Sequence, residues 1–281
     1  MLKTALALGT FDGVHKGHKA VLSLPGNYRK IAVTFQKPPK MEQGGEAKLL
    51  MSFADKCLAL RNNGIDEVVG LVFDEVRDLP PDSFLSYLKE RFDPALISCG
   101  FNYRFGKNAE GDPDVLARFC RQNGMEFRCC DPVSQNGEII SSTLIRAYLS
   151  EGKIEEADKM LTEPFSFSAE VIEGDKRGRT LGFPTVNQRY PEILTPLRFG
   201  VYQTEIRFEG KSFAGLTNIG VRPTFQTPYV LSESYIGGFS GDLYGKTVRV
   251  IPLRFIRPER KFASAEELKA QVQKDLQLIL K

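Results

Sequence analysis

The sequence predicts an α/β domain followed by a mainly antiparallel β-barrel domain, on three observations. Short aliphatic runs alternate with helix-patterned segments through the first half of the 281 residues. In the second half apolar residues recur at every second position, and an amphipathic helix closes the chain. Strand–helix alternation implies a parallel sheet covered by helices on its faces, whereas period-two patterning implies half-buried antiparallel strands.

The expected strands of the first half are Leu2 to Leu8, Lys30 to Phe35, Glu67 to Phe73, Ala95 to Cys99 and Met125 to Cys130, each rich in aliphatic or β-branched residues. Helical patterns lie between them. Ser52 to Asn62 opens with Ser52 and Asp55 spaced as an N-cap, and Ser83 to Phe92 carries Phe84, Leu88 and Phe92 on one stripe. Ser141 to Leu161 reads as one helix, which Thr162-Glu163-Pro164 interrupts. The domain boundary is placed there, giving domains 1–164 and 165–281.

Beyond it Tyr202, Thr204, Ile206 and Phe208 alternate with Gln203, Glu205 and Arg207, and Glu209-Gly210 supplies a turn before Lys211 to Leu216. A further alternating stretch runs from Thr247 to Phe255. These strands suit a small barrel. The last helix starts at a capping box, Ser264 with Glu267, and aligns Leu268, Val272, Leu276 and Ile279 on one face.

Composition sets limits on function. A net charge of +3 with no basic block gives no footprint for nucleic acid, so small anions are the expected partners. The 5 cysteines include no C-x-x-C pair, which argues against a disulfide framework or zinc site and suits a reducing, cytoplasmic setting. We expect no signal peptide, no membrane span and no obligate protein partner.

Both histidines of the chain fall in Gly9-Thr10-Phe11-Asp12-Gly13-Val14-His15-Lys16-Gly17-His18, directly after the first strand. His15 and His18, three residues apart at a helix start, project to one side beside backbone N–H groups that lack intrahelical partners. Such a place holds phosphate, and imidazole donors there can stabilise charge that grows on phosphate oxygens. Gly9, Gly13 and Gly17 allow the tight backbone approach. Ser142, Thr143 and Arg146, in Ile140-Ser141-Ser142-Thr143-Leu144-Ile145-Arg146, offer hydroxyls and a guanidinium to the same anion. Gly100 to Lys107 follows the fourth strand, and its aromatic and polar mix can hold a planar heterocycle.

In the second half Gly174 to Asn187 combines a glycine-rich, basic loop with Thr185 and Asn187, whose oxygens suit a phosphate-bound magnesium ion. Glu233 lies in a strand-like stretch without other acids and is a candidate base. Gly241 to Thr247 resembles a P-loop, but it has three residues between its glycines where four are needed and leads into a strand, so it reads as a hairpin turn.

Taken in order, GTFDGVHKGH, GFNYRFGKNAEGD, SSTLIR, GDKRGRTLGFPTVN, NIGVRPTF and GDLYGK followed by RPERKF resemble the bifunctional bacterial riboflavin kinase/FAD synthetase family over nearly the whole chain. The resemblance implies a Rossmann-like nucleotidyltransferase domain followed by a riboflavin kinase domain with a six-stranded barrel and terminal helix. It implies ATP, riboflavin, FMN and FAD as substrates or products, and Mg2+ as cofactor. By position, Gly9, Thr10, Phe11, Asp12, Gly13, His15, His18, Ser142, Thr143 and Arg146 would bind the ATP of adenylyl transfer, and Asn102 the flavin or pyrophosphate. Gly174, Lys176, Gly178, Arg179, Gly182, Thr185 and Asn187 would bind the ATP of the kinase, with the metal at Thr185 and Asn187. Glu233 would be the base for the ribityl 5′-hydroxyl. The chain departs from the family pattern at Gln36-Lys37-Pro38-Pro39, at Tyr235 and at Gly238. A nucleotidyltransferase for another phosphorylated small molecule and a non-catalytic flavin or nucleotide sensor are the competing readings.

Overall fold

The structure is a computed structural model that describes residues 2–38, 48–174, 182–222 and 229–279. Its backbone contacts divide the chain into two units, Met1–Ser142 with Met160–Glu163, and Thr143–Lys159 with Pro164–Lys281.

The first unit is built on five parallel strands: β1 (Lys3–Leu8), β2 (Tyr28–Phe35), β3 (Glu67–Leu71), β4 (Pro94–Gly100) and β5 (Glu126–Cys130). Their order is β3-β2-β1-β4-β5, so the direction of winding reverses between β1 and β4. In sheets of this kind the crevice for ligands opens at the carboxyl ends of the two strands that flank the reversal. Central β1 is buried on both faces. Leu6 and Leu8 pack with Ile31, Val33, Phe84, Leu88 and Leu116 on one side, Ala5 and Ala7 with Val21, Leu22, Ala32 and Leu60 on the other. The crossovers contribute α1 (Lys16–Leu22), α2 (Phe53–Asn62), α3 (Phe73–Val76), α4 (Pro81–Phe92) and α5 (Pro113–Gln122). A short hairpin, β6 (Ser134–Gln135) with β7 (Glu138–Ile139), follows β5. The N-cap expected for α2 is present, the Asp55 N–H donating to Ser52 Oγ at 3.1 Å.

Two expected elements are cut short. β3 stops at Leu71 and Phe73 begins α3. The stretch from Ser141 to Leu161 is two helices, α6 (Ser142–Glu151) and α7 (Ile154–Met160). The break is at Gly152, whose φ of 81° lies in the left-handed region. Its N–H bonds Leu149 O at 3.1 Å and the next N–H, of Lys153, bonds Tyr148 O at 2.8 Å, the paired termination that glycine supports best.

In the second unit β8 (Phe167–Ile172), β9 (Thr185–Arg189), β10 (Gly200–Phe208), β11 (Lys211–Arg222), β12 (Tyr229–Ile236) and β13 (Thr247–Arg257) close into an antiparallel barrel in the order β10-β11-β12-β9-β8-β13. The expected strand Lys211 to Leu216 is twice as long as its alternation alone suggested and runs on through Asn218. Residues 237–246 connect β12 to β13, but these two strands are not neighbours in the barrel, so the segment is a crossover and not the expected hairpin turn; within it the Tyr244 N–H donates to Asp242 Oδ1 at 2.9 Å. The interior is partly polar. Thr204, Thr217 and Ser234, all fully buried, join through contacts of 2.9 and 2.8 Å, and Gln188 Nε2 donates to the carbonyls of Ala169 and Val248.

The terminal helix α8 (Ala265–Ile279) begins as its capping residues indicate, with the Glu267 N–H on Ser264 Oγ at 3.2 Å. It presents Leu276 and Val272 to Val201 and Leu216 of the barrel. A buried acid also ties it there: Asp275 Oδ2 takes Arg257 Nε at 2.9 Å and Nη2 at 2.8 Å, and Oδ1 takes Gln271 Nε2 at 2.8 Å. Arg257→Ala would leave that carboxylate without its cation and should destabilise the second unit by about 3 kcal/mol. Arg207→Ala, at an exposed pair, should cost about 1 kcal/mol or less. Denaturant unfolding of the two variants measures the contrast.

Candidate functional site

Two groups of polar residues stand out, one in each unit. At the carboxyl end of β1 the last ladder bond is Gly9 N–H to Val33 O. The chain then turns sharply through Phe11, Gly13 and Val14, all at positive φ. At Gly13 (φ 84°) any Cβ would also come within 2.6 Å of Leu50 Cδ1, so only glycine fits. His15 is the N-cap of α1 and His18 its third residue. The His18 N–H donates to His15 Nδ1 at 3.2 Å, and the His15 N–H donates to His18 Nδ1 at 3.3 Å. This is a capping box made of two imidazoles. Because each Nδ1 accepts, each neutral ring carries its proton on Nε2. The rings stack with centroids 3.5 Å apart, and Phe11 meets His18 edge-on at 5.3 Å. Burial first, then the neighbouring His15 and the Lys56 ammonium, hold the His18 imidazole well below its ordinary value of 6.5. His18 therefore offers a neutral N–H donor.

Of the expected residues outside the loop, one joins it. Ser142 Oγ, at the start of α6, donates to Asp12 O at 2.8 Å. The Asp12 carboxylate accepts the Leu50 N–H at 2.9 Å, which makes it a brace for the loop. Thr10 presents its carbonyl to Thr34 Oγ1 at 2.9 Å. Asn102 is exposed just past the carboxyl end of β4. Thr143 and Arg146 lie farther along α6, among the residues of the second unit, with Arg146 Nη2 3.4 Å from Thr143 Oγ1.

Lys56 also takes part, although it belongs to no motif of the sequence. From α2 its buried Nζ reaches Phe35 O at 2.9 Å, Thr10 O at 3.1 Å and Thr34 Oγ1 at 3.3 Å. The available signal was its place three and four residues before buried Ala59 and Leu60, where an amphipathic helix calls for an apolar side chain.

In the barrel, strand register assembles the second group. Glu233 of β12 lies opposite Asn187 of β9 on one side and Asn218 of β11 on the other. Thr185 shares the Asn187 face, two residues away. Asn187 is buried, its Oδ1 has no hydrogen-bond partner among the described residues, and its amide lies against Gly174, where a Cβ would be 2.3 Å from Nδ2. Asn218 Nδ2 donates to Glu259 Oε1 at 3.1 Å. Tyr235, at one point of departure from the family pattern, meets Phe183 edge-on at 6.0 Å. Gly182 precedes β9, while Lys176, Gly178 and Arg179 lie outside the described residues.

Two family models match this chain: FAD synthetase over residues 2–144 and riboflavin kinase over residues 161–281. The bifunctional riboflavin kinase/FMN adenylyltransferase of Listeria monocytogenes is 34% identical over 98% of this chain and 91% of its own length. The chain belongs to the bifunctional riboflavin kinase/FMN adenylyltransferase family. The family's Escherichia coli K12 member is 33% identical over 96% of this chain and 90% of its own. A solved structure described as a macrolide-efflux protein from Streptococcus pneumoniae superposes with a TM-score of 0.91 at 26% identity, covering 99% of this chain and 94% of that one. Among the described residues, no helix of this family member is long and apolar enough to cross a membrane.

The depressed His18 value has a consequence for stability. The unfolded chain takes up a proton near pH 6.5 that the folded chain refuses until a lower pH. The first unit should thus keep its full stability above about pH 6.5 and lose it progressively below, by up to about 1.4 kcal/mol per pH unit. Urea unfolding followed at β1 amides near about pH 7.5 and 5.5 should show this slope, reduced in His18→Gln.

Proposed function

We propose that residues 1–164 carry FMN adenylyl transfer and residues 165–281 carry riboflavin phosphorylation, both from ATP. In the kinase step the ribityl 5′-hydroxyl attacks the γ-phosphorus, its proton passes to a base, and ADP departs. In the second step the FMN phosphate attacks the α-phosphorus of another ATP, and pyrophosphate departs. The observation that carries this reading is that one chain holds two different chemistries. A pair of imidazoles lies at the carboxyl edge of a parallel sheet, and a carboxylate lies beside an amide on adjacent barrel strands.

Adenylyl transfer needs no protein nucleophile, because the attacking phosphate is already an anion. The work left to the chain is positioning and stabilisation of charge on the α-phosphate and the departing pyrophosphate. The imidazoles of His15 and His18 are assigned to those oxygens, with Ser142 beside them on the same unit, and Asn102 is assigned to the flavin or pyrophosphate. The kinase nucleophile is a neutral alcohol, so a base helps, and we assign Glu233 to that task.

The Asn187 amide oxygen, buried and lacking a partner among the described residues, suits a hard divalent ion, and Thr185 offers a hydroxyl on the same face. Mg2+ held there would neutralise phosphate charge. The remaining ATP contacts fall to Gly174, Gly182 and the basic residues of the intervening loop. The five cysteines are all free thiols, which suits a reducing cytoplasm.

Purified protein incubated with riboflavin, ATP and magnesium should yield FMN and then FAD by chromatography. A sensor would bind without turnover, and a different nucleotidyltransferase would leave riboflavin unchanged. Glu233→Gln keeps size and hydrogen bonding but removes the basic oxygen, so kinase turnover should fall by roughly 100- to 10,000-fold while FAD formation from supplied FMN persists. His18→Ala should do the reverse, slowing FAD formation by roughly 100-fold and sparing FMN formation.

A further inference from the structure

Among the described residues Lys56 is the one lysine or arginine that is buried, with 7% of its surface exposed. Its ammonium has three N–H bonds and three acceptors: Phe35 O, Thr10 O and Thr34 Oγ1. Thr34 Oγ1 in turn donates to Thr10 O at 2.9 Å, so both donors converge on one carbonyl. Thr10 is the last residue before the turn through Phe11, Gly13 and Val14 that delivers His15 and His18. That turn is held at positive φ and needs a fixed root to keep its direction. A buried cation is a costly way to fill space, and an apolar side chain would fill it more cheaply.

We propose that Lys56 is a positioning residue for adenylyl transfer, its charged amine clamping the Thr10 carbonyl to the end of β2 and so fixing the direction in which the two histidines are presented. This rests on the assignment of adenylyl transfer to the first unit. The clamp requires the ammonium form. A neutral amine has two N–H bonds and a lone pair, which is met only if the Thr34 hydroxyl turns to donate to it and lets go of the Thr10 carbonyl. Burial brings the amine down from 10.5 to about 8, against the opposing pull of Asp12 and then Cys57. His18, the other titratable group that feels Lys56, is already neutral in this range. The clamp should therefore release as pH rises through about 8. Phosphate bound nearby favours the cation, so the free enzyme, read by kcat/KM, should show the release at lower pH than kcat does.

The experiment is the pH profile of kcat/KM for adenylylation of FMN between about pH 6.5 and 9.5, in full-length wild type, Lys56→Met and Thr34→Val. Riboflavin phosphorylation by the same chains serves as the internal control. Wild type should lose adenylylation above about pH 8 with kinase activity unaffected in that range. Lys56→Met should be slower at neutral pH by roughly 10- to 100-fold, the scale of a misplaced donor, and should lack the alkaline decline. Thr34→Val removes one acceptor of the ammonium and should move the decline to lower pH. A decline that persists in Lys56→Met, or one that stays in place in Thr34→Val, overturns the proposal. If Lys56→Met does not fold, Thr34→Val decides alone. Wild type that makes no FAD at any pH would instead overturn the assignment on which the proposal rests.

Discussion

Backbone N–H and C=O groups that leave a strand must still be paired, and this requirement shapes the molecule more than any single contact. At the carboxyl end of β1 the ladder stops and side chains take over. Lys56 and Thr34 satisfy Thr10 O, Ser142 satisfies Asp12 O, Thr162 satisfies Val14 O, and the two imidazoles satisfy each other's backbone N–H. The groups that complete the loop are in this way fixed by it, which is what a preorganised set of donors requires. A flexible phosphate loop would have to be ordered at the moment of reaction, at a cost in rate.

The barrel meets the same requirement by closure, since a sheet closed on itself has no unpaired edge. Closure leaves a narrow interior in which hydroxyls pair with hydroxyls across strands instead of with water. The Thr204–Thr217–Ser234 chain and the Gln188 bonds to two strands bind the barrel wall crosswise. Against that wall, strand register sets the spacing of the outward row Asn187–Glu233–Asn218.

Much of the first unit was legible in the sequence because strands buried on both faces are written as continuous apolar runs, such as Ala5 to Leu8. The histidine segment was legible because both histidines of the chain fall in it. What escaped was governed by pairings far apart in sequence or by single backbone angles. Gly152 divides a helix that the apolar periodicity carries straight through. Lys56 acts on Thr10 from 46 residues away, and a helix pattern shows only that a charge sits on the wrong face. Asn187 and Glu233 were each visible as chemistry, yet their adjacency depends on which strand follows which around the barrel.

The outward row and the polar interior occupy alternate positions of the same strands, so each barrel strand carries two interleaved messages. Along β9 and β12, Asn187 and Glu233 face one way, Gln188, Ser232 and Ser234 the other. Substitutions should therefore sort by parity, with odd steps disturbing turnover and even steps disturbing the fold. Loss or gain of one residue inside either strand would exchange the two messages wholesale, putting Gln188 into the reactive row and Asn187 into the core. Such a lineage could drift freely in side chains at many places in the barrel, while the length of these two strands would be held constant by both demands at once.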